Sequence, residues 1–163
     1  MKYLKTFESN IRKDFSDLTI EHVKDILTDP IDRGVITLRK IGPGSKGNLN
    51  LKNSSVRMYN SYMDFDGNIP RQNLTSDHIF LNVAINKNNS PSEYTKKYIS
   101  YTSTHNSQDH VISFSMQILH KYLRRIYNDY NVSIFIKVML STDITLEDNQ
   151  ISRCNIFIVP ASN

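Results

Sequence analysis

The sequence predicts an α+β fold: a two-layer sandwich with a mostly antiparallel sheet packed against one long helix, in the order αβββ(α)αββ. Three observations carry this. Ile112, Met116, Leu119, Leu123, Ile126 and Tyr130 recur at steps of three and four, the spacing of one helical face. Directly afterwards Val132, Ile134, Ile136, Val138 and Leu140 alternate with Ser133, Phe135, Lys137 and Met139, the period of a strand with one aliphatic face. The links between successive strand signals are short, which suits antiparallel neighbours.

Taken in order, residues 1–16 are polar with scattered apolar positions and read as a short helix or an arm. A helix over 19–29 follows, with Thr19 as N-cap and Leu18 placed to staple onto Val23. Ile20, Val23, Ile26 and Leu27 form its buried stripe, and Pro30 is expected to end it. Residues 34–41 predict a strand and 42–53 an exposed hairpin loop. Val56 to Phe65 predicts another strand, closed by Asp66-Gly67, with a loop over 68–76. Ile79, Leu81, Val83 and Ile85 alternate with Phe80, Asn82 and Ala84 in a central strand. Ser90-Pro91-Ser92-Glu93 has the form of a helix start, whereas the β-branched and Tyr content of 98–104 favours a strand.

The long helix is expected over 107–129, roughly 34 Å at 1.5 Å per residue. Val111, Phe114, Ile118 and Tyr122 widen its apolar face. Asn106 or Ser107 can cap it, with Asp109 in the first turn and Lys121, Arg124 and Arg125 toward the negative C-terminal end. A last strand over 150–159 stops at Pro160. There is no internal repeat or low-complexity linker, so the 163 residues are expected to form one domain.

Hydrophobic residues make up 39% of the chain and charged residues 22%, the balance of an ordinary globular protein. No apolar run reaches the roughly 20 residues of a membrane span, so no membrane partner is expected. The start, Met1-Lys2-Tyr3-Leu4-Lys5, lacks the apolar stretch of a secretory signal. The single cysteine, Cys154, precedes Asn155-Ile156-Phe157-Ile158-Val159 and is expected to be a buried, inert thiol. Lys and Arg outnumber Asp and Glu by 20 to 16, a net charge of +4 that favours anionic partners.

Few residues suggest chemistry. Gly42-Pro43-Gly44-Ser45-Lys46-Gly47 has the ingredients of a phosphate cradle, but no helix pattern follows it, and a hairpin loop is the better reading. Asp64 and Asp66 share one side of an extended segment and are candidate ligands for a hard divalent cation. His105, Asp109 and His110 cluster at the start of the long helix, where a capping Asp beside exposed imidazoles accounts for them better than zinc does. The candidate nucleic-acid contacts are Lys96 and Lys97 among tyrosines, and Lys121, Arg124 and Arg125 on the long helix.

The opening Met1-Lys2-Tyr3-Leu4-Lys5-Thr6-Phe7-Glu8 resembles the start of small proteins of large tailed phages with AT-rich genomes. The abundance of Asn, Ile, Lys and Tyr fits such a source. The order of elements resembles the tail terminator and neck proteins of long-tailed phages, through the helix around Ile20–Leu27, the strand Ile79–Ile85, the long helix and the closing strands to Val159. The resemblance implies a non-enzymatic protein that acts by protein–protein contact or self-association, as a ring-forming virion assembly component, located in the host cytoplasm or the virion. Nucleic-acid or host-protein binding through basic, Tyr-rich surfaces is the alternative, and a metal-dependent hydrolase around Asp64, Asp66 and a histidine a third. No cofactor is expected.

Overall fold

A computed structural model describes residues 11–45, 47–49, 56–59, 72–74, 77–87 and 108–161. The fold is α+β: among the described residues an antiparallel sheet packs against two α-helices, α1 (Ile20–Asp32) and α2 (Gln108–Asp129). The strands are β1 (Ile36–Pro43), β2 (Gly47–Leu49), β3 (Val56–Tyr59), β4 (Gln72–Leu74), β5 (Ile79–Asn86), β6 (Val132–Met139) and β7 (Gln150–Pro160). Five of them form one sheet in the order β1-β5-β7-β6-β3, antiparallel throughout, and β2 pairs with β4 in a separate ribbon.

Helix α1 begins as its cap residue dictates. Thr19 Oγ1 accepts from the His22 N–H at 3.1 Å, satisfying one of the unpaired donors of the first turn. Leu18 and Val23 are both buried in the core, as a hydrophobic staple requires. Pro30 does not end this helix, which runs on to Asp32. A proline that late removes a single N–H bond from the last turn. The stop is set four residues on by Gly34, whose φ of 68° is the left-handed conformation that glycine adopts without penalty. The Gly34 N–H donates to Ile31 O at 2.9 Å and the Val35 N–H to Pro30 O at 2.9 Å, the paired bonds of a Schellman cap. The first strand therefore starts at Ile36 rather than 34.

Helix α2 and its following strand lie within a residue or so of their predicted spans. Leu119 and Ile126 are fully buried, and Met116 and Leu123 nearly so. They pack over the alternate residues of the central strands: Ile79, Leu81, Val83 and Ile85 of β5, Val132, Ile134, Ile136 and Val138 of β6, and Cys154, Ile156 and Ile158 of β7. Burying each such side chain contributes about 1.5–3 kcal/mol relative to exposure. A buried polar contact joins the layers: Ser115 Oγ of α2 lies 2.6 Å from Ser152 Oγ of β7, and Ser115 also donates to Val111 O at 2.7 Å. Helix α1 packs beside β1 and α2, and the chain before it is tied down by Lys13, whose N–H donates to Asp129 O at 2.8 Å.

Two predicted loops contain strands. The loop expected over 42–53 holds the end of β1 and all of β2, and the loop over 68–76 holds β4. In the strand expected over 56–65, residues 56–59 form β3. Its remainder, the predicted segment at 90–104 and the N-terminal residues 1–10 lie outside the described residues.

Candidate functional site

The helices cover one face of the sheet. The other face is the half of the strand alternation that points away from them, and register sets its residues in rows. Lys40 pairs with Asn82, Asn82 with Asn155, and Asn155 with Lys137, which makes one row across β1, β5, β7 and β6. The adjacent row runs Gly42, Phe80, Phe157, Phe135. Beyond the lysine row, Thr37, Ala84, Arg153 and Met139 form a third. The face thus changes along the strands from a row of two lysines and two amides to an aromatic row.

Side-chain contacts follow the rows. Asn82 Nδ2 donates to Asn155 Oδ1 at 2.6 Å, and Asn155 Nδ2 reaches Met139 Sδ at 3.8 Å. The Phe80 and Phe157 rings are tilted against each other at a centroid distance of 5.3 Å, and both are half-buried. Lys40 Nζ lies 5.9 Å from the Phe80 ring centroid, a cation–π distance. Phe135 and Val159 are buried and Phe157 packs on them, a second small apolar cluster on this side of the sheet. Gly42, opposite Phe80, is an open place: a Cβ built there meets nothing within 4 Å. Gly44 is the reverse, since its N–H donates to His78 O at 2.6 Å and an added Cβ would run into the buried His78 ring.

Glu147 is the carboxylate at the rim of this face. It accepts from Arg39 Nη1 at 2.8 Å and lies 3.7 Å from Arg153 Nη2, while Arg153 Nε donates to Gln150 Oε1 at 3.1 Å. Lys40 and Lys137 have no carboxylate within 4 Å among the described residues. Nearby, Lys87, Val111, Glu147, Asp148, Gln150 and Ile151 line a cleft of about 280 Å³. Its charges have both signs and converge on no single chemistry.

Of the residues singled out from sequence, Lys121, Arg124 and Arg125 lie exposed on the outer side of α2, at the three- and four-residue spacing of one stripe. They have no carboxylate within 4 Å among the described residues. They are on the opposite side of the molecule from the lysine row. Lys96, Lys97, Asp64 and Asp66 lie outside the described residues. Among the described residues no three His, Cys, Asp or Glu side chains converge as metal ligands, and no helix is long and apolar enough to cross a membrane. The Gly42–Gly47 segment leads from one strand into another, so it lacks the helix N-terminus on which a phosphate cradle depends. Cys154 is wholly buried, and desolvation pushes its thiol pKa up to about 12 against a smaller lowering by Ser152, so it is no nucleophile at neutral pH.

The residues that sequence reasoning missed are those of the rows, Lys40, Gly42, Phe80, Asn82, Lys137, Asn155 and Phe157. Their signal was the non-core half of each alternation, which pairs rings with cations and amides where a plain solvent face carries small polar residues.

Comparison with protein-family models, with curated proteins and with solved structures found no match to this chain.

Proposed function

We propose that the protein is a non-enzymatic binding protein whose partner is nucleic acid. The observation that carries this is the set of cations that have no carboxylate partner among the described residues, Lys121, Arg124 and Arg125 on α2 with Lys40 and Lys137 on the sheet. Cations held apart from acids keep their charge available for phosphates, and each phosphate neutralised releases counterions. The net charge of +4 acts in the same direction.

Among the described residues β1 is an edge strand, and its features favour this reading over ring assembly by edge pairing. Edge strand β1 has a bulge between Leu38 and Lys40, two adjacent cations and a terminal proline, all features that block a further strand.

The test is fluorescence anisotropy of a labelled oligonucleotide across a salt series. The logarithm of the affinity is expected to fall linearly with that of the salt concentration, by about 0.7 to 0.9 for each phosphate contacted. Arg124→Glu with Arg125→Glu should weaken binding and flatten that slope. Absence of binding at low salt, or binding indifferent to salt, sinks the proposal.

A further inference from the structure

We infer that the outer face of α2 and the strap before α1 form one surface for the sugar-phosphate backbone of a nucleic-acid duplex, with Arg12 of the strap as its fourth cation. This rests on the nucleic-acid reading above and assigns it a surface, a further residue and a strand type.

The surface is open. Lys121, Arg124 and Arg125 are exposed, as are Gln117 and Asn128 on the same side of the helix, while Leu119, Leu123 and Ile126 turn the other side into the core. Arg12 is exposed as well, and backbone bonds bring it here. The Lys13 N–H donates to Asp129 O at 2.8 Å and the Asn131 N–H to Lys13 O at 2.7 Å, so Lys13 is bridged alongside Tyr130 at the end of α2. That stitching fixes the residue before it. The guanidinium carbon of Arg12 lies 4.8 Å from the centroid of the Tyr127 ring. Tyr127 stands three residues beyond Arg124, a neighbouring position on a helix surface. A guanidinium already resting on a ring loses less freedom when its planar fork takes a phosphate.

Charge density favours a duplex. From Lys121 to Tyr127 the helix rises about 9 Å, and four cations stand over that length. A duplex carries about five charges in the same 9 Å, at one per 1.7 Å of its axis. The nearby acids are Asp14 and Asp129, and neither carboxylate lies within 4 Å of a cation among the described residues. The sheet is much sparser: Lys40 and Lys137 end a row three interstrand gaps wide, about 14 Å.

The rings decide against a single strand. Binding unpaired bases takes an uncovered aromatic face on which they stack. Tyr122 and Tyr130 are buried, and Tyr127 carries the Arg12 guanidinium. This surface therefore grips phosphates without stacking, and its affinity follows the charge density of the partner, which is higher in a duplex.

The experiment measures the affinity of the full chain for a labelled duplex and for an oligothymidylate of the same length across a salt series. The parent is compared with Arg12→Ala, with Arg124→Glu/Arg125→Glu, and with Lys87→Ala, which removes one charge beside the first turns of α2, away from the proposed surface. Arg12 is an exposed side chain, so circular dichroism and melting should show an intact fold; Arg12→Gln, which keeps most of the length without the charge, serves if Arg12→Ala does not. The duplex is expected to bind more tightly than the single strand. Arg12→Ala should lower the duplex salt slope by about 0.9 and the affinity about five- to tenfold at 0.1 M salt, whereas Lys87→Ala should leave the slope as it is. If Arg12→Ala binds as the parent does, or no more weakly than Lys87→Ala, while Arg124→Glu/Arg125→Glu loses binding, this inference fails and the broader proposal stands. If the oligothymidylate binds as tightly as the duplex, the inference also fails. If the parent binds neither probe, both fall together.

Discussion

Ser115 and Ser152, replaced by alanine singly and together, offer a sharp test of how the two layers are joined. Both residues are fully buried, one on α2 and one on β7, with their hydroxyls 2.6 Å apart. Ser115 has one hydroxyl proton and places it on Val111 O at 2.7 Å. The proton in the interhydroxyl bond therefore comes from Ser152. The two truncations are consequently unequal. Ser152→Ala removes one net hydrogen bond, about 1 kcal/mol, and leaves Ser115 with its carbonyl. Ser115→Ala strands the Ser152 donor beside only the weakly accepting Cys154 sulfur, a cost of about 1–3 kcal/mol. Alanine's better helix propensity offsets about 0.5 kcal/mol of that. The double variant removes donor and acceptor together and strands nothing, so it should cost less than the sum of the singles by about 1–2 kcal/mol. Urea unfolding at equal m-values measures all three, and the cycle cancels the propensity terms because they belong to single sites. Additivity within about 0.5 kcal/mol would falsify the bond between the layers.

Other outcomes follow from the same geometry. Gly44→Ala drives a methyl into the buried His78 ring and is expected to cost about 1–3 kcal/mol, whereas Gly42→Ala meets open space and should be neutral or stabilising; equal melting shifts for the two would contradict the packing described. Cys154 should resist a thiol reagent at pH 8 in the folded protein and react at the rate of unfolding. Because its folded pKa is raised to about 12 from 9.0, the unfolded state loses its proton first on raising the pH. The thiol's contribution to stability is therefore intact below about pH 9 and lost between there and about 12, and denaturant midpoints that rise over this interval would refute the burial argument.

How much of this could be read from the chain depends on what kind of physics each feature uses. Helix α2 and strands β5, β6 and β7 declare themselves because one local rule, apolar residues on one face, operates over many residues without interruption. Pro30 misleads because the rule that proline stops a helix ignores position: in the last turn the loss is small, and Gly34 two residues past the helix end decides. Strands β2 and β4 give no local signal. Gly47-Asn48-Leu49 and Gln72-Asn73-Leu74 lack alternation and β-branched residues, and they pair because β1 and β5 bring their flanks together. The basic stripe of α2 was legible since its residues are neighbours on one helix. The rows of the sheet were not, because Lys40 and Lys137 come onto one row only through the register of four strands.

That register turns on one irregularity. Counting by twos from Ile36 would put Leu38 and then Lys40 on the helix side, burying an ammonium in an aliphatic core at a cost of several kcal/mol. The bulge between Leu38 and Lys40 inserts one residue, so that Leu38 faces Val83, Lys40 faces Asn82 and Ile41 faces Leu81. Leu38 and Ile41 both pack against the core as a result, and Lys40 joins the opposite face beside Phe80. The same insertion spoils the outer edge of β1 for pairing with another strand. A single extra residue thus keeps the core apolar, spoils the outer edge of β1 for pairing and places Lys40 in one row with Asn82, Asn155 and Lys137.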